Sequence, residues 1–330
     1  MGVRKLKHLL VKNYYKQFPE NINIIAIDVS IWLYKYIKGK CQEPLYLVFN
    51  MTCKFLSEGI IPLFVFDGKP ITEKNNEINK RIIKKQKMKL KVEELKNKLN
   101  INPDDESIKK ELNRMLKKSS SISIKLINNC KLLMNLMKVP YIEARTEADF
   151  TCCRLYLDGI VDACLTEDMD FLLLGCNRTF HFEKGQIVEY NLNDSLNNLE
   201  LTFSQFQDFC LLLGCDYVKK FLLDDASAIL NNLKNKNSIE NMLNETINKE
   251  QKINFLKCIK IKKILNSILD NEKLEIETYK LVYNNESIEI NDLQKFFSSK
   301  INENSFKYHQ TATFNNFVRK VNSYKFLNSF

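Results

Sequence analysis

The chain has 330 residues, 45% of them hydrophobic and 27% charged, and a net charge of +10. That is enough apolar material for one large core or two modest ones, and it excludes a disordered or fibrous polypeptide. No apolar run approaches the length of a membrane span, no apolar signal region is read in residues 1–10, and three scattered histidines without a C-x-x-C pair argue against zinc.

Residues 23–28 read as a buried strand that ends on Asp28. Pro44 to Leu56 predicts a helix, and residues 61–66 predict a second buried strand before Asp67. Continuous apolar strands joined by helices predict an α/β fold, with a mostly parallel central sheet covered by helices. From residue 73 to 118 lysine dominates, and Pro103-Asp104-Asp105 breaks two helical pieces. This stretch reads as a basic helical insertion. Ser119-Ser120-Ser121 leads into a helix running to Met137, and Pro140-Tyr141-Ile142 reads as a short strand. Thr146-Glu147-Ala148-Asp149 opens a helix ending near Gly159, and strand 160–165 leads into Asp168-Met169-Asp170. Strands at 179–182 and 187–190 around Lys184-Gly185 read as a hairpin. Phe203 to Leu213 is an apolar helix stopped by Gly214, and the remainder is mostly helical. The expected domains are a core in two parts, 1–72 and 119–217, the insertion 73–118, and a helical C-terminal region 218–330.

Seven acids stand where acids are a poor choice for folding: Asp28, Asp67, Glu147, Asp149, Asp168, Asp170 and Asp216. Most follow apolar, strand-like runs. In open parallel sheets the ligand site lies beyond the carboxyl ends of the strands, so these acids are expected to converge. Like charges about 4 Å apart repel by roughly 4 kcal/mol at an effective dielectric of 20. Such a cluster calls for protons or cations. Hard divalent ions take oxygen ligands, and paired ions promote in-line attack on phosphodiesters. Each acid also has a bland reading. Asp28 and Asp67 suit turns or helix caps, and Thr146-x-x-Asp149 approximates a capping box. Glu147 and Asp149, two apart, face one site only in a loosely wound first turn. Asp168 and Asp170 share a side if their loop is extended, or else form a solvated acidic turn. Asp216 alone reads as a cap or turn residue.

The insertion carries Lys74, Lys80, Arg81, Lys84, Lys85, Lys87, Lys89, Lys91, Lys96 and Lys98. Residues 80, 84, 87 and 91 line one helical stripe, which suits a polyanion or a solvated face partly neutralised by Glu77, Glu93 and Glu94. Trp32 and Tyr34 offer stacking surfaces for a base, with core packing as the other reading, above all for Trp32. The ten cysteines are scattered in apolar stretches and read as reduced core residues of an intracellular protein.

The order and wording of these motifs resemble the flap endonuclease family, the structure-specific 5′ nucleases related to XPG. The resemblance rests on Met1-Gly2-Val3-Arg4-Lys5-Leu6, Ala26-Ile27-Asp28-Val29-Ser30, Val65-Phe66-Asp67-Gly68-Lys69-Pro70, Thr146-Glu147-Ala148-Asp149, Thr166-Glu167-Asp168-Met169-Asp170 and Leu212-Leu213-Gly214-Cys215-Asp216-Tyr217. It runs from the N-terminus to about residue 217. The resemblance implies two Mg²⁺ ions, with Mn²⁺ able to substitute. One falls mainly to Asp67, Glu147 and Asp149 with Asp28 nearby, the other to Asp168, Asp170 and Asp216. It implies that Lys74 and Arg81 contact the scissile phosphate and that Tyr34 stacks on a neighbouring base. Gly2, Lys80, Lys84 and Lys85 join them as DNA contacts, and the insertion becomes a gateway and cap that select free 5′ ends.

Three features depart from the family pattern. Asp149 stands where Glu is usual. Val218 to Ala226 lacks the glycines of the family's helix-two-turn-helix, which binds duplex and often potassium. Gln310-Thr311-Ala312-Thr313-Phe314-Asn315-Asn316-Phe317 falls short of a sliding-clamp motif. The expected activity is hydrolysis of DNA at flaps, nicks or single-strand/duplex junctions in replication, repair or recombination. Alternatives are a 5′–3′ exonuclease or junction resolvase of the same superfamily, a ribonuclease, or a non-catalytic DNA-binding scaffold. The expected location is intracellular: the nucleus or, for a virus-encoded relative, the cytoplasmic site of viral DNA replication.

Overall fold

The computed structural model describes residues 2–3, 5–38, 44–119, 121–222, 224–272 and 289–300. Two compact units alternate along the chain: residues 1–29, 60–74 and 141–282 form one, and residues 30–59, 75–140 and 283–330 the other. All the regular structure among the second unit's described residues is helical. It holds α1 (Val29–Lys38), α2 (Pro44–Ser57), α3 (Asn75–Ile101), α4 (Glu106–Ser119), α5 (Ile124–Leu136) and α13 (Ile290–Lys300). The α3–α4 pair closes on a small core of Val92, Leu95 and Leu112, with Leu99, Ile108 and Met115 against it. Asp105 ends the break between them, because its Oδ1 accepts from Ser107 N at 2.9 Å and Ile108 N at 3.1 Å. Trp32 is buried in this unit, so the core reading of that residue holds.

The first unit is built on a seven-stranded sheet: β1 (Lys12–Tyr15), β2 (Ile24–Asp28), β3 (Ile61–Phe66), β4 (Tyr141–Glu143), β5 (Ala163–Leu165), β6 (Arg178–Glu183) and β7 (Gln186–Asn191). The strand order is β1-β7-β6-β5-β2-β3-β4. The five strands from β4 to β6 are parallel, and β7 is antiparallel to both β6 and β1. The hairpin around Lys184-Gly185 is β6–β7, as its alternating pattern predicts. Helices α6 (Ala148–Leu157), α7 (Asp170–Leu173), α8 (Leu192–Leu199), α9 (Phe203–Leu213), α10 (Ala226–Lys236), α11 (Ile239–Glu245) and α12 (Lys249–Asn271) complete the unit. One apolar cluster of its core includes Ala26, Val65, Phe150, Cys164, Phe171, Phe206 and Phe255, while Ile25, Ile27, Phe64, Leu165 and Phe180 are buried outside that cluster.

Two local expectations change. Strand β5 is shorter than residues 160–165, because Ile160 and Asp162 have other partners. Ile160 N donates to Leu155 O at 2.9 Å and so closes α6. Asp162 Oδ2 accepts from Asn23 N at 2.7 Å and Ile24 N at 2.9 Å. Strand β1 was not expected at all. Its four residues, Lys-Asn-Tyr-Tyr, are too few to show the apolar alternation of a strand, and pairing with β7 makes them one. The nine cysteines among the described residues are free and buried. No described helix is long and apolar enough to cross a membrane.

Candidate active site

The sheet order reverses between β2 and β5, which are neighbours although β3 and β4 lie between them in sequence. A parallel sheet opens a crevice at such a reversal, beyond the carboxyl ends of the strands. Asp28 ends β2 at this point, and Asp168 and Asp170 follow β5. Asp28, Glu147, Asp149, Asp168 and Asp170 are all at most 6% exposed. Asp168, Asp170 and Asp216 each bring a carboxylate oxygen within 4.8 Å of the others.

Local structure explains how each acid arrives. Phe66 ends β3, and the Asp67-Gly68 turn is held against residues 144–148. Gly68 N donates to Thr146 O at 2.6 Å, and Asp67 Oδ1 accepts from Ala148 N at 3.0 Å. A Cβ on Gly68 would overlap the Ala144 carbonyl oxygen, so the approach requires glycine. Asp67 therefore caps α6 from another part of the chain. This corrects the capping-box reading: Glu147, not Thr146, is the N-cap residue, and it makes no side-chain cap bond. Glu147 is extended, with φ −90° and ψ 147°, and Asp149 lies in the first helical turn. The two acids thus share one site despite their spacing. Asp67 itself is exposed at the edge of the group.

The extended-loop reading of Asp168 and Asp170 is also corrected. Met169 is helical in backbone, with φ −79° and ψ −9°, and Asp170 begins the short helix α7. Thr166 Oγ1 accepts from Asp168 N at 3.0 Å, and Asp168 Oδ1 accepts from Asp170 N at 3.1 Å. A tight turn, rather than strand alternation, brings both carboxylates to one place. Gly2 lies directly against them. Its φ is +75°, and an added Cβ would overlap Asp168 Oδ1.

A lysine enters this group. Lys74 Nζ donates to Glu147 Oε2 at 2.7 Å and stands 4.0 Å from Asp216 Oδ2. Tyr217 also donates to Glu147 Oε2, at 3.2 Å, and Lys74 Nζ lies 5.5 Å from the centre of the Tyr217 ring. Sequence reasoning gave Tyr217 no role; its only signal was its place directly after Asp216. Burial opposes the Lys74 charge, but Asp149 and Glu147 more than compensate and raise its pKa. Burial likewise raises the pKa of Asp149, and Asp28, Asp168 and Glu147 add to the shift while Lys74 opposes it. Asp170 is raised by burial and then by Asp168 and Asp216. Both Asp170 oxygens are buried and accept no hydrogen bond. A buried ionised carboxylate without a partner is costly. An all-oxygen donor set with such a carboxylate at its centre fits a hard divalent cation.

Arg81, Lys80, Lys84, Lys85 and Tyr34 belong to the helical unit. Lys80, Arg81 and Lys84 are exposed on α3, and Lys85 is half-buried. Glu77 lies 3.4 Å from Lys80 and 3.5 Å from Arg81. Tyr34 is 37% exposed on α1. The glycine-free segment after Asp216 joins α9 to α10, where Asp225 caps the new helix by accepting from Ala228 N at 2.8 Å. The Gln310–Phe317 segment lies outside the described residues.

Comparison with known proteins agrees with this geometry. The XPG N-terminal domain matches residues 1–88, and the XPG I-region matches residues 138–216. Flap endonuclease 1 of Entamoeba histolytica is 31% identical over 310 residues, covering 86% of this chain and 80% of its own length. Among solved structures, the flap endonuclease-1 from Methanococcus jannaschii aligns with a TM-score of 0.64 at 20% identity, over 96% of this chain and 98% of its own. The catalytic core of Rad2, solved with a DNA substrate, aligns with a TM-score of 0.58 at 19% identity, over 89% of this chain and 92% of its own. These two share the fold. The chain belongs to the XPG-type flap endonuclease family, and it is a nuclease.

Proposed function

We propose that the protein is a structure-specific 5′ nuclease that hydrolyses DNA phosphodiesters at flaps, nicks or single-strand/duplex junctions with two divalent ions. The reading is carried by the unpartnered, buried carboxylate of Asp170 beside Asp168 and Asp216. Those three would hold one ion, and Glu147, Asp149, Asp28 and Asp67 the other. When bound, the ions supply charge neutralisation around the reacting phosphate and activation of the attacking water. Lys74 is paired with this acid group, and it is assigned to a phosphate oxygen once cations have satisfied the carboxylates. Arg81 at the start of α3 is assigned to the same phosphate, and Tyr34 to stacking on the adjacent base. The α3–α4 insertion, with Lys80, Lys84 and Lys85, is assigned to the single strand and to selection of free 5′ ends. Retention of all seven acids favours catalysis over a scaffold role, since loss of activity would release the ligands from constraint first.

The test is cleavage of a 5′-labelled flap duplex in Mg²⁺, beside an EDTA control and the Asp168→Ala protein. Incision near the junction is expected, with a loss of more than about 100-fold in the variant, beyond the loss that a ligand's supporting partner commonly causes. Wild-type rates in Asp168→Ala would remove the assignment. Substrates with blocked 5′ ends separate a threading nuclease from a junction resolvase, because only the former needs a free end.

A further inference from the structure

We infer that Tyr217 is a positioning residue of the nuclease site, orienting Glu147 through its hydroxyl and Lys74 through its ring. Tyr217 is 3% exposed, and a buried tyrosine hydroxyl requires a partner. That partner is Glu147 Oε2, at 3.2 Å. The same oxygen accepts from Lys74 Nζ at 2.7 Å, and the ammonium stands 5.5 Å from the Tyr217 ring centre. The three side chains therefore form a closed triangle. Both donors end on Oε2, and Oε1 receives neither bond.

The triangle divides two tasks. A carboxylate that ligates a cation is oriented by the hydrogen bonds on its other oxygen. Lys74 supplies one such bond, but a phosphate arriving in the site competes for its ammonium. Tyr217 is neutral and carries no charge for the phosphate to attract, so its bond to Glu147 persists when Lys74 turns away. The ring face meanwhile attracts the ammonium wherever it moves along that surface. Lys74 can then exchange Glu147 for phosphate without leaving the site. Tyrosine is the one side chain that offers both a face for the cation and a hydroxyl for the acid here. Its position directly after Asp216 ties both tasks to the turn that carries that acid.

The lysine half of this inference rests on the nuclease reading above; the Glu147 half does not. The first test titrates Mn²⁺ into the full-length protein without DNA and follows free Mn²⁺ by electron paramagnetic resonance. Tyr217→Phe keeps the ring and the shape and removes the hydroxyl. Its Mn²⁺ binding is expected to weaken about tenfold, while its melting temperature in EDTA stays close to that of the wild type. Equal affinity in Tyr217→Phe and wild type would overturn the Glu147 role. The second test compares Tyr217→Phe with Tyr217→Leu at saturating metal on a flap duplex. The leucine protein is expected to show a further fall in kcat with KM preserved, and equal kcat values would overturn the Lys74 role. Should Tyr217→Leu not fold, Tyr217→Trp replaces it. Tryptophan presents a stronger cation-binding face without the hydroxyl, so its kcat is expected to match or exceed that of Tyr217→Phe, and a lower value would overturn the ring role. A wild-type protein that binds Mn²⁺ and cuts no DNA would defeat the nuclease reading and leave the Mn²⁺ result standing.

Discussion

Asp170 concentrates the conflict between folding and function in one side chain. Neither oxygen is exposed, neither accepts a hydrogen bond, and two other carboxylates stand close by. In the metal-free fold the pull of Lys74 opposes the shift without cancelling it. Replacing it with the neutral isostere relieves repulsion at the cost of burying an amide, and the ion is the more expensive group. Asp170→Asn is therefore expected to stabilise the metal-free protein by about 1–2 kcal/mol, in the usual range for removing a strained functional group. Melting in EDTA at pH 8 measures this, and a lowered melting temperature would contradict it. Gly2 makes the complementary case. Gly2→Ala forces a side chain into Asp168 and Asp170 at a positive φ. It is expected to weaken Mn²⁺ binding by at least about tenfold, read directly by titration.

At the scale of elements, the Asp67-Gly68 turn clamps β3 to the start of α6. It satisfies an orphan helix N–H with a carboxylate and lets backbone meet backbone at Gly68. Gly68→Ala must push the turn away from the Ala144 carbonyl, at an expected cost of about 1–3 kcal/mol in a scan of thermal stability. Helix α3 presents the other element-level prediction. Lys80 pairs with Glu77 across one turn of exposed helix, at 3.4 Å, and such pairs contribute little. These charges remain available to a polyanion. Reversal of Lys80 and Lys84 to Glu is expected to lower DNA affinity and to flatten its salt dependence by about 0.7–0.9 per lost phosphate contact. An unchanged slope would detach α3 from the DNA.

For the whole molecule, the acid group links stability to pH and to metal. Burial first, and neighbouring acids second, raise the pKa of Asp149 and Asp170, and burial raises that of Asp168. The folded state therefore holds these protons more tightly than the unfolded chain. The resulting stability is complete below the ordinary value of 3.8 and is lost as pH rises through the higher folded values. A divalent cation needs the ionised carboxylates and reverses that loss. The melting-temperature gain on adding Mg²⁺ is expected to grow from pH 5 to pH 8. A gain that is constant or shrinks with pH would contradict a carboxylate site.

The sequence by itself determined the parallel strands, the basic two-helix insertion and the identity of the seven acids. Those signals are local: apolar runs, lysine density, and charges placed where a core does not want them. It also carried the family, because the acid motifs keep their wording and order. Tertiary structure decided what each acid does. Asp67 became a cap for α6 because Gly68 lets two loops touch, which no spacing rule within either loop reports. Asp168 and Asp170 met through a tight helical turn rather than strand alternation. Strand β1 formed because β7 offered an edge, and Tyr217 acquired two partners from segments 70 and 143 residues away. Periodicity along a chain encodes which face is buried. Which distant groups share a buried space depends on chain crossings, and those exist only once the sheet has assembled.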